Sequence, residues 1–266
     1  MTLLFDAFRK CSTAGILLLA VTAHLGAQSD SRSTATATKN ADGVQLLHQA
    51  LARLGDPNAL LAAQSCDISE TVTPSGGSAI SVEWTIDADD YLLIAHTAAG
   101  ISQLASRAPV AIQGKLYTPG SRMRLTHFEP ASATQWLARA IMRPTISISS
   151  VTPRSIDGKT FLAVQLADIT NPIVMLESEQ VWYFDPNSYM PVRIDYKLPS
   201  ITRSGLAAPT HVLILGFHDF SGILFPSALQ TYIGEIPETA ITVLSTACST
   251  QLPPASRFAV DGGTLQ

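Results

Sequence analysis

From Ile80 to Asp87 apolar and polar residues alternate without a break: Ile80, Val82, Trp84 and Ile86 in one register, Ser81, Glu83, Thr85 and Asp87 in the other. A strand turns successive side chains to opposite faces, so this spacing predicts a sheet with one face in a core and one in water. The period of 2 sets in at Cys66 and governs most of the chain. Tyr91–Thr97 follows the turn Ala88-Asp89-Asp90, and Val110–Thr118 carries Gly114 as a bulge or tight turn. Thr145–Val151 comes next, then Phe161–Asp168 after the hairpin signal Asp157-Gly158. Val181–Phe184 and Val192–Tyr196 flank the turn sequence Asp185-Pro186-Asn187-Ser188, and His211–Phe220, Leu224–Ile233 and Ala240–Thr250 complete the set. Short, hairpin-like connections make the sheet mainly antiparallel.

Two segments depart from this period. Val44, Leu47, Leu51 and Leu54, widened by Leu46 and Ala50, form an amphipathic helical stripe that Gly55-Asp56-Pro57 ends. A short helical turn is expected at 58–64. Ala133, Trp136, Leu137, Ala140 and Ile141 form a second stripe, with Ser132 as N-cap and Pro144 forcing the end. The class is therefore α+β, in one domain.

The N-terminus has the three parts of a secretory signal peptide. Arg9 and Lys10 give a basic start, and Ala14–Ala23 is an uncharged apolar run too short to span a bilayer. Leu25-Gly26-Ala27 offers a small residue before a cut, with a cut after Ala23 as the second choice and an uncleaved anchor as the alternative. This divides the chain into a signal peptide, 1–27, a Ser/Thr/Ala-rich flexible tether, 28–41, one β-rich domain, 42–260, and a tail, 261–266. Localisation is then periplasmic or extracellular, and the mature chain is expected to have no transmembrane segment.

Charged residues make up 14% of the 266, against about 25% in average chains. The net charge is −4, and no Lys/Arg cluster is present in the mature region. Nucleic acid is therefore excluded as a partner class. Export leaves Cys66 and Cys248 in an oxidising compartment, where an even pair suggests a disulfide; two buried thiols in separate strands are the alternative.

No catalytic motif emerges. There is no G-x-S-x-G elbow and no phosphate-binding loop, and Gly76-Gly77-Ser78 reads as a hairpin turn. His48, His96, His127, His211 and His218 contain no H-x-x-x-H pair, and the odd spacing of His211 and His218 puts them on opposite faces unless a bulge intervenes. Cys66 and Cys248 lack a C-x-x-C partner, so no zinc site is expected. Asp89-Asp90 reads as turn chemistry, and Glu177 with Glu179 as a solvated strand face. Trp84, Trp136 and Trp182 lie in apolar stripes, more as core than as ligand platforms. The expectation is a non-enzymatic protein with no cofactor or metal.

Val181-Trp182-Tyr183-Phe184-Asp185-Pro186 followed by Met190-Pro191-Val192-Arg193-Ile194-Asp195-Tyr196 resembles a "W-x-hydrophobic-D-P-x-T-G-L-P-x-R" hairpin. That hairpin is found in periplasmic proteins similar to the outer-membrane lipoprotein carrier LolA. His218-Asp219-Phe220-Ser221-Gly222-Ile223-Leu224-Phe225-Pro226 is similar to the strand pair that follows it, and Ile241–Ser245 through Leu252 to Phe258 to the last strand and tail. The chain departs from the pattern at Ser188-Tyr189-Met190 and in an extra segment at 198–210. The resemblance implies a LolA-like fold: a strongly curved, unclosed half-barrel with helices on its concave face, able to hold acyl chains. It makes a lipid or a lipoprotein acyl chain the expected partner. Trp136, Leu137, Ile141 and Trp84 become groove or lid candidates. A sensor or protein-interaction module of the same fold is the alternative, and no ligand residues carry over position by position.

Overall fold

The hairpin signals resolve into one long antiparallel ladder. The structure is a computed structural model that describes residues 37–87, 90–98, 100–105, 110–112, 115–117, 129–170, 175, 178–199 and 207–258. The signal peptide with Cys11, the tether as far as residue 36, Asp89, Gly114, His127, Glu177 and the 261–266 tail lie outside them.

The described strands are β1 (Ser65–Pro74), β2 (Ile80–Ile86), β3 (Tyr91–Thr97), β4 (Gly100–Ala105), β5 (Val110–Ile112), β6 (Lys115–Tyr117), β7 (Ile146–Ile148), β8 (Thr152–Ile156), β9 (Lys159–Asp168), β10 (Gln180–Phe184), β11 (Pro191–Pro199), β12 (Ala207–Phe220), β13 (Ile223–Ile233) and β14 (Ile236–Ser249). Twelve of them form one sheet in the order β4-β3-β2-β1-β14-β13-β12-β11-β10-β9-β7, with β8 also on β9; β5 and β6 pair separately. Each neighbouring pair is a meander step except β9–β7, between which β8 intervenes in the chain, and β1–β14, where the first and last described strands meet. Among the described residues the end strands β4 and β7 are not paired to each other, so the sheet is an unclosed half-barrel.

Bulges bend it. Leu244 of β14 is the extra residue between Ser69↔Ser245 and Glu70↔Val243, and Leu215 of β12 the extra one between Ile214↔Leu229 and Gly216↔Ala228. One extra residue locally increases twist and bends its strand. The helices are α1 (Ala41–Leu54), α2 (Pro57–Ala62) and α3 (Ala133–Met142), with 3₁₀ turns at Pro130–Ser132 and Ala255–Phe258. They cover the concave face: Leu46, Leu47, Leu51, Leu54 and Leu137 share one core with Ile68, Trp84, Leu93, Val164, Trp182, Phe184 and Ile194. Gly43 lets α1 approach β7, since a Cβ there would stand 2.1 Å from the Ser149 carbonyl oxygen.

Several boundaries differ from the sequence expectations. Thr145–Val151 is only the three-residue β7, and β8 follows with no apolar register of its own. The β8–β9 hairpin turns on Asp157 and Gly158, both at positive φ (50° and 76°), as a tight two-residue hairpin loop requires. Ser132 does not cap α3 with its hydroxyl, which donates to the Glu129 carbonyl instead (2.8 Å). The stretch read as a tether, 28–41, is not free at its described end. Ala37 is buried, Ile148 N donates to Thr38 O (2.9 Å), and Asn40 N donates to Ile148 O (3.0 Å), so these residues add to the β7 edge. Lys39 Nζ donates to the Ala140 and Ile141 carbonyls at the end of α3. Low hydrophobicity hid this, because main-chain pairing needs no side-chain pattern.

Candidate functional site

The β13–β14 ladder ends at Ala228↔Thr242, although β13 extends back to Ile223 and β14 on to Ser249. Beyond that point β13 pairs with β12, and β14 with β1. The Pro130–Ser132 turn packs against both β13 and β1, and Thr134 Oγ1 of α3 donates to the Leu224 carbonyl of β13 (2.8 Å). A helical segment thus enters the half-barrel at its seam. Glu129, its N-cap, accepts from Ala131 N through Oε1 (3.2 Å) and is buried.

A second carboxyl lies below it. In β1, Cys66, Ile68, Glu70 and Val72 occupy one face by the period of 2, and all four are buried. Glu70 is 0% exposed. Its Oε1 accepts from Trp84 Nε1 (2.9 Å), while Oε2 is buried with no hydrogen-bond partner. Burial raises the Glu70 carboxyl well above the ordinary carboxylate range, the Glu129 charge raises it further, and the Trp84 bond opposes the shift in part. Glu129 is pushed up to about 7, again mainly by burial, against the opposing hydrogen bond from Ala131. Tyr196 of β11 is raised by burial and by Glu129, which places its phenol beside the same site. Two carboxyls in a poorly hydrated space do not both ionise near neutral pH, since each charge lacks water and disfavours the other.

The helix supplies more polar atoms. Arg139 donates to the Asp87 carbonyl and to the Gln64 carbonyl (2.8 Å), which fixes this end of α3 over the ends of β1 and β2. Glu129, two to three turns earlier, lies by Glu70. The lengths agree: Cys66 to Glu70 rises about 13 Å along a strand, and Ala131 to Arg139 about 12 Å along a helix. Gln135 lies one turn before Arg139 on α3. Gln135 is 1% exposed, and neither its Oε1 nor its Nε2 has a hydrogen-bond partner; nor does the buried Thr246 Oγ1. A buried polar atom left unmatched costs roughly 1–3 kcal/mol.

The groove and lid candidates are distributed along the same face. Trp84 and Leu137 are fully buried, Trp84 as the hydrogen-bond partner of Glu70. Trp136 and Ile141 are partly exposed on the flank of α3. Trp136 stacks on Trp182 (6.0 Å between ring centroids), which stacks on Phe184 (6.4 Å). Cys66 and Cys248 are register partners on β1 and β14 and are joined as a disulfide.

The other candidate pairs are held separately. His211 is buried and stacks on Tyr232 (4.6 Å), whereas His218 is exposed beside Phe220 (5.1 Å). The Leu215 bulge removes the parity argument, but their spacing along β12 is still about 20 Å. Glu179 accepts from Lys197 Nζ (3.0 Å), and Asp90 lies in the turn, its N–H bonded to Asp87. Among the described residues no group of three or more His, Cys, Asp or Glu side chains is arranged to hold a metal ion. Glu70 was legible in its strand parity as a carboxyl in an apolar register; Glu129, in an irregular segment, carried no such signal.

No protein-family model matches the sequence, and no curated protein matches it. Among solved structures the chain is similar to that of a LolA superfamily protein from Nitrosomonas europaea, at 11% identity and a TM-score of 0.49, covering 82% of this chain and 98% of that one. It is similar to a domain described as an outer membrane lipoprotein-sorting protein from Vibrio parahaemolyticus, at 10% identity and 0.42, covering 80% and 95%. A DUF1329 family protein from Desulfovibrio piger gives 10% identity and 0.43, covering 82% and 99%.

Proposed function

We propose that this is an exported, non-enzymatic binding protein that holds an acyl chain, free or attached to a lipidated partner, on the concave face beside α3. The observation that carries this reading is the aromatic step Trp136–Trp182–Phe184, which leads from a partly exposed ring on the helix flank to two fully buried rings on the sheet. An apolar ligand entering there exchanges water for ring and aliphatic surface, and each methylene buried contributes about 0.8 kcal/mol. Met142, 62% exposed at the end of α3, extends the apolar rim. The cover is also of a kind that yields. Three short helices lie on the concave face where a second sheet would be hydrogen-bonded along its length, and α3 is tethered at its ends by the side chains of Lys39, Thr134 and Arg139. The N-terminal segment 1–27 supports export, and among the described residues no helix is long and apolar enough to cross a membrane.

Native mass spectrometry of the protein isolated from its own compartment, with lipid extraction, tests the reading. The expected result is a mass excess that disappears on delipidation and yields an acyl lipid. A single apo mass, unchanged by delipidation, sinks it. The second reading, a protein-interaction module, is favoured by Leu215 and Leu244, bulge residues 64% and 57% exposed. Charged substitutions at both positions that abolish partner capture without altering lipid content would favour that reading.

A further inference from the structure

The end of α3 is not capped by the chain that follows it. The carbonyls of a helix's last turn have no partner within the helix. Arg143 N donates to the Arg139 carbonyl (2.9 Å), but the next carbonyl, that of Ala140, would be served by residue 144, a proline without an N–H. No glycine follows to close the helix with a left-handed cap. The cap comes from a distant segment instead. Lys39 Nζ donates to the Ala140 carbonyl (3.4 Å) and to the Ile141 carbonyl, across 101 and 102 residues. A cation at this end also meets the negative pole of the helix dipole.

The segment that carries Lys39 lies at the margin of the sheet. Lys39 bridges Ile148 of the end strand β7 in parallel, as an isolated bridge outside any ladder. Three main-chain bonds secure the segment: Ala37 N to Pro144 O (3.1 Å), Ile148 N to Thr38 O (2.9 Å) and Asn40 N to Ile148 O (3.0 Å). Ala37 is buried, whereas Thr38 and Asn40 are exposed. Hydrogen bonds more than apolar burial therefore hold residues 37–40, and such bonds at an exposed edge are the ones that open locally. Their release breaks no pairing between the named strands. Asp42 Oδ2 accepts from Val151 N (2.9 Å), which fixes the start of α1 independently of the segment before it. Thr134 and Arg139 hold α3 ahead of its last turn.

We propose that residues 37–40 are a strap that gates the concave face, with Lys39 clamping the last turn of α3 over it. Ile141 lies one turn after the fully buried Leu137, on the same side of the helix, and is partly buried against the same core. Met142, beside it, is 62% exposed at the rim. When the strap leaves β7, the Ala140 and Ile141 carbonyls lose their donor and the turn 140–142 unwinds. Ile141 then withdraws from the core, and an apolar chain enters at the C-terminal end of α3. The sheet and α1 stay in place, because their own bonds do not pass through the strap.

This inference rests on the acyl-binding reading for what passes the gate, and its test separates the two. Two variants of the full mature chain release the strap by different means. Lys39→Met keeps the aliphatic stem and removes the donor. Asn40→Pro removes the N–H bonded to Ile148; Asn40 already has a φ of −67°, which proline adopts, and its side chain makes no cap bond that would be lost. Hydrogen exchange read by mass spectrometry should rise about tenfold in the last turn of α3 in Lys39→Met, as expected for loss of one hydrogen bond to a charged group. It should rise by a smaller factor in Asn40→Pro, with exchange in β1 unchanged in both. Uptake of dansyl-labelled undecanoic acid, followed by stopped-flow fluorescence, should accelerate in the same order. Unchanged α3 exchange in both variants, or a rise that β1 shares equally, overturns the strap. Faster α3 exchange with unchanged uptake overturns the gate and leaves a structural cap. If the probe binds none of the three proteins, the acyl reading fails and the gate with it, while exchange still decides whether residues 37–40 clamp α3.

Discussion

The halves of the half-barrel on either side of the β13–β14 seam solve one problem in two ways. In the β9–β12 half, Trp182 is buried against Phe184, Val164 and Ile194, its N–H satisfied by the neutral Gln180 of its own strand. In that half Arg193 Nε donates to Asp195, and Tyr183 Oη donates to Asp195 (3.0 Å). In the β1–β3 half, Trp84 is buried to the same degree, but its partner is a carboxyl on the concave side, faced by a second carboxyl. The first half also buries Asp168 and His211, but both Asp168 oxygens accept hydrogen bonds, from Thr145 and Thr170, whereas Glu70 Oε2 has no partner.

The largest expected effect lies at the seam between them. The Cys66–Cys248 bond closes a loop with a sequence separation of 182, for which chain entropy gives about 5 kcal/mol as an upper figure. Cys66→Ser with Cys248→Ser should lower the urea midpoint at unchanged secondary structure. A count of two free thiols in denatured, unreduced native protein would remove the premise. Next, Trp182→Ala and Trp84→Ala should each cost about 3–5 kcal/mol. Measured by urea unfolding at pH 8, Trp84→Ala should cost the more of the two if removing the indole leaves Glu70 unbonded; equal losses would mean that the carboxyl contributes nothing.

The pH dependence tests the same asymmetry. Glu129 has a folded-state value raised to about 7, mainly by burial, from 4.5 in the unfolded chain. A raised acid binds its proton more tightly in the folded state, so its stabilising contribution is complete below the unfolded value and is lost as pH rises through about 7. The size is about 3 kcal/mol between pH 5 and pH 8. Glu129→Gln should flatten that part of the stability profile, and a profile unchanged by the substitution would refute the assignment. Exchanging the two solutions is a finer test. Gln180→Glu should destabilise by about 1–3 kcal/mol at pH 8 and much less at pH 5, whereas Glu70→Gln should be neutral or stabilising. The smallest effect belongs to the convex face: Glu179→Ala removes an exposed ion pair with Lys197 and should change stability by less than about 1 kcal/mol.

What the sequence determined by itself was local. Alternation at Ile80–Ile86 and the turn at Asp185–Ser188 specified strands and hairpins because strand geometry repeats every two residues and tight turns restrict φ. The stripes at Val44–Leu54 and Ala133–Ile141 specified helices for the equivalent reason at a period of 3.6. The curved, unclosed form was implied by the family resemblance of the hairpin residues. Only the tertiary structure decided which strands meet across the chain, and with them the site. Cys66 comes opposite Cys248, and Glu129 comes beside Glu70, because β1 pairs with β14 and a 3₁₀ turn fills the seam where β13 and β14 part. Long-range pairing depends on burial summed over whole faces, which no local window contains. A carboxyl's burial is likewise a property of tertiary packing: Glu70 shares its strand register with Ile68 and Val72, and the turn before α3, some sixty residues later, packs on its strand.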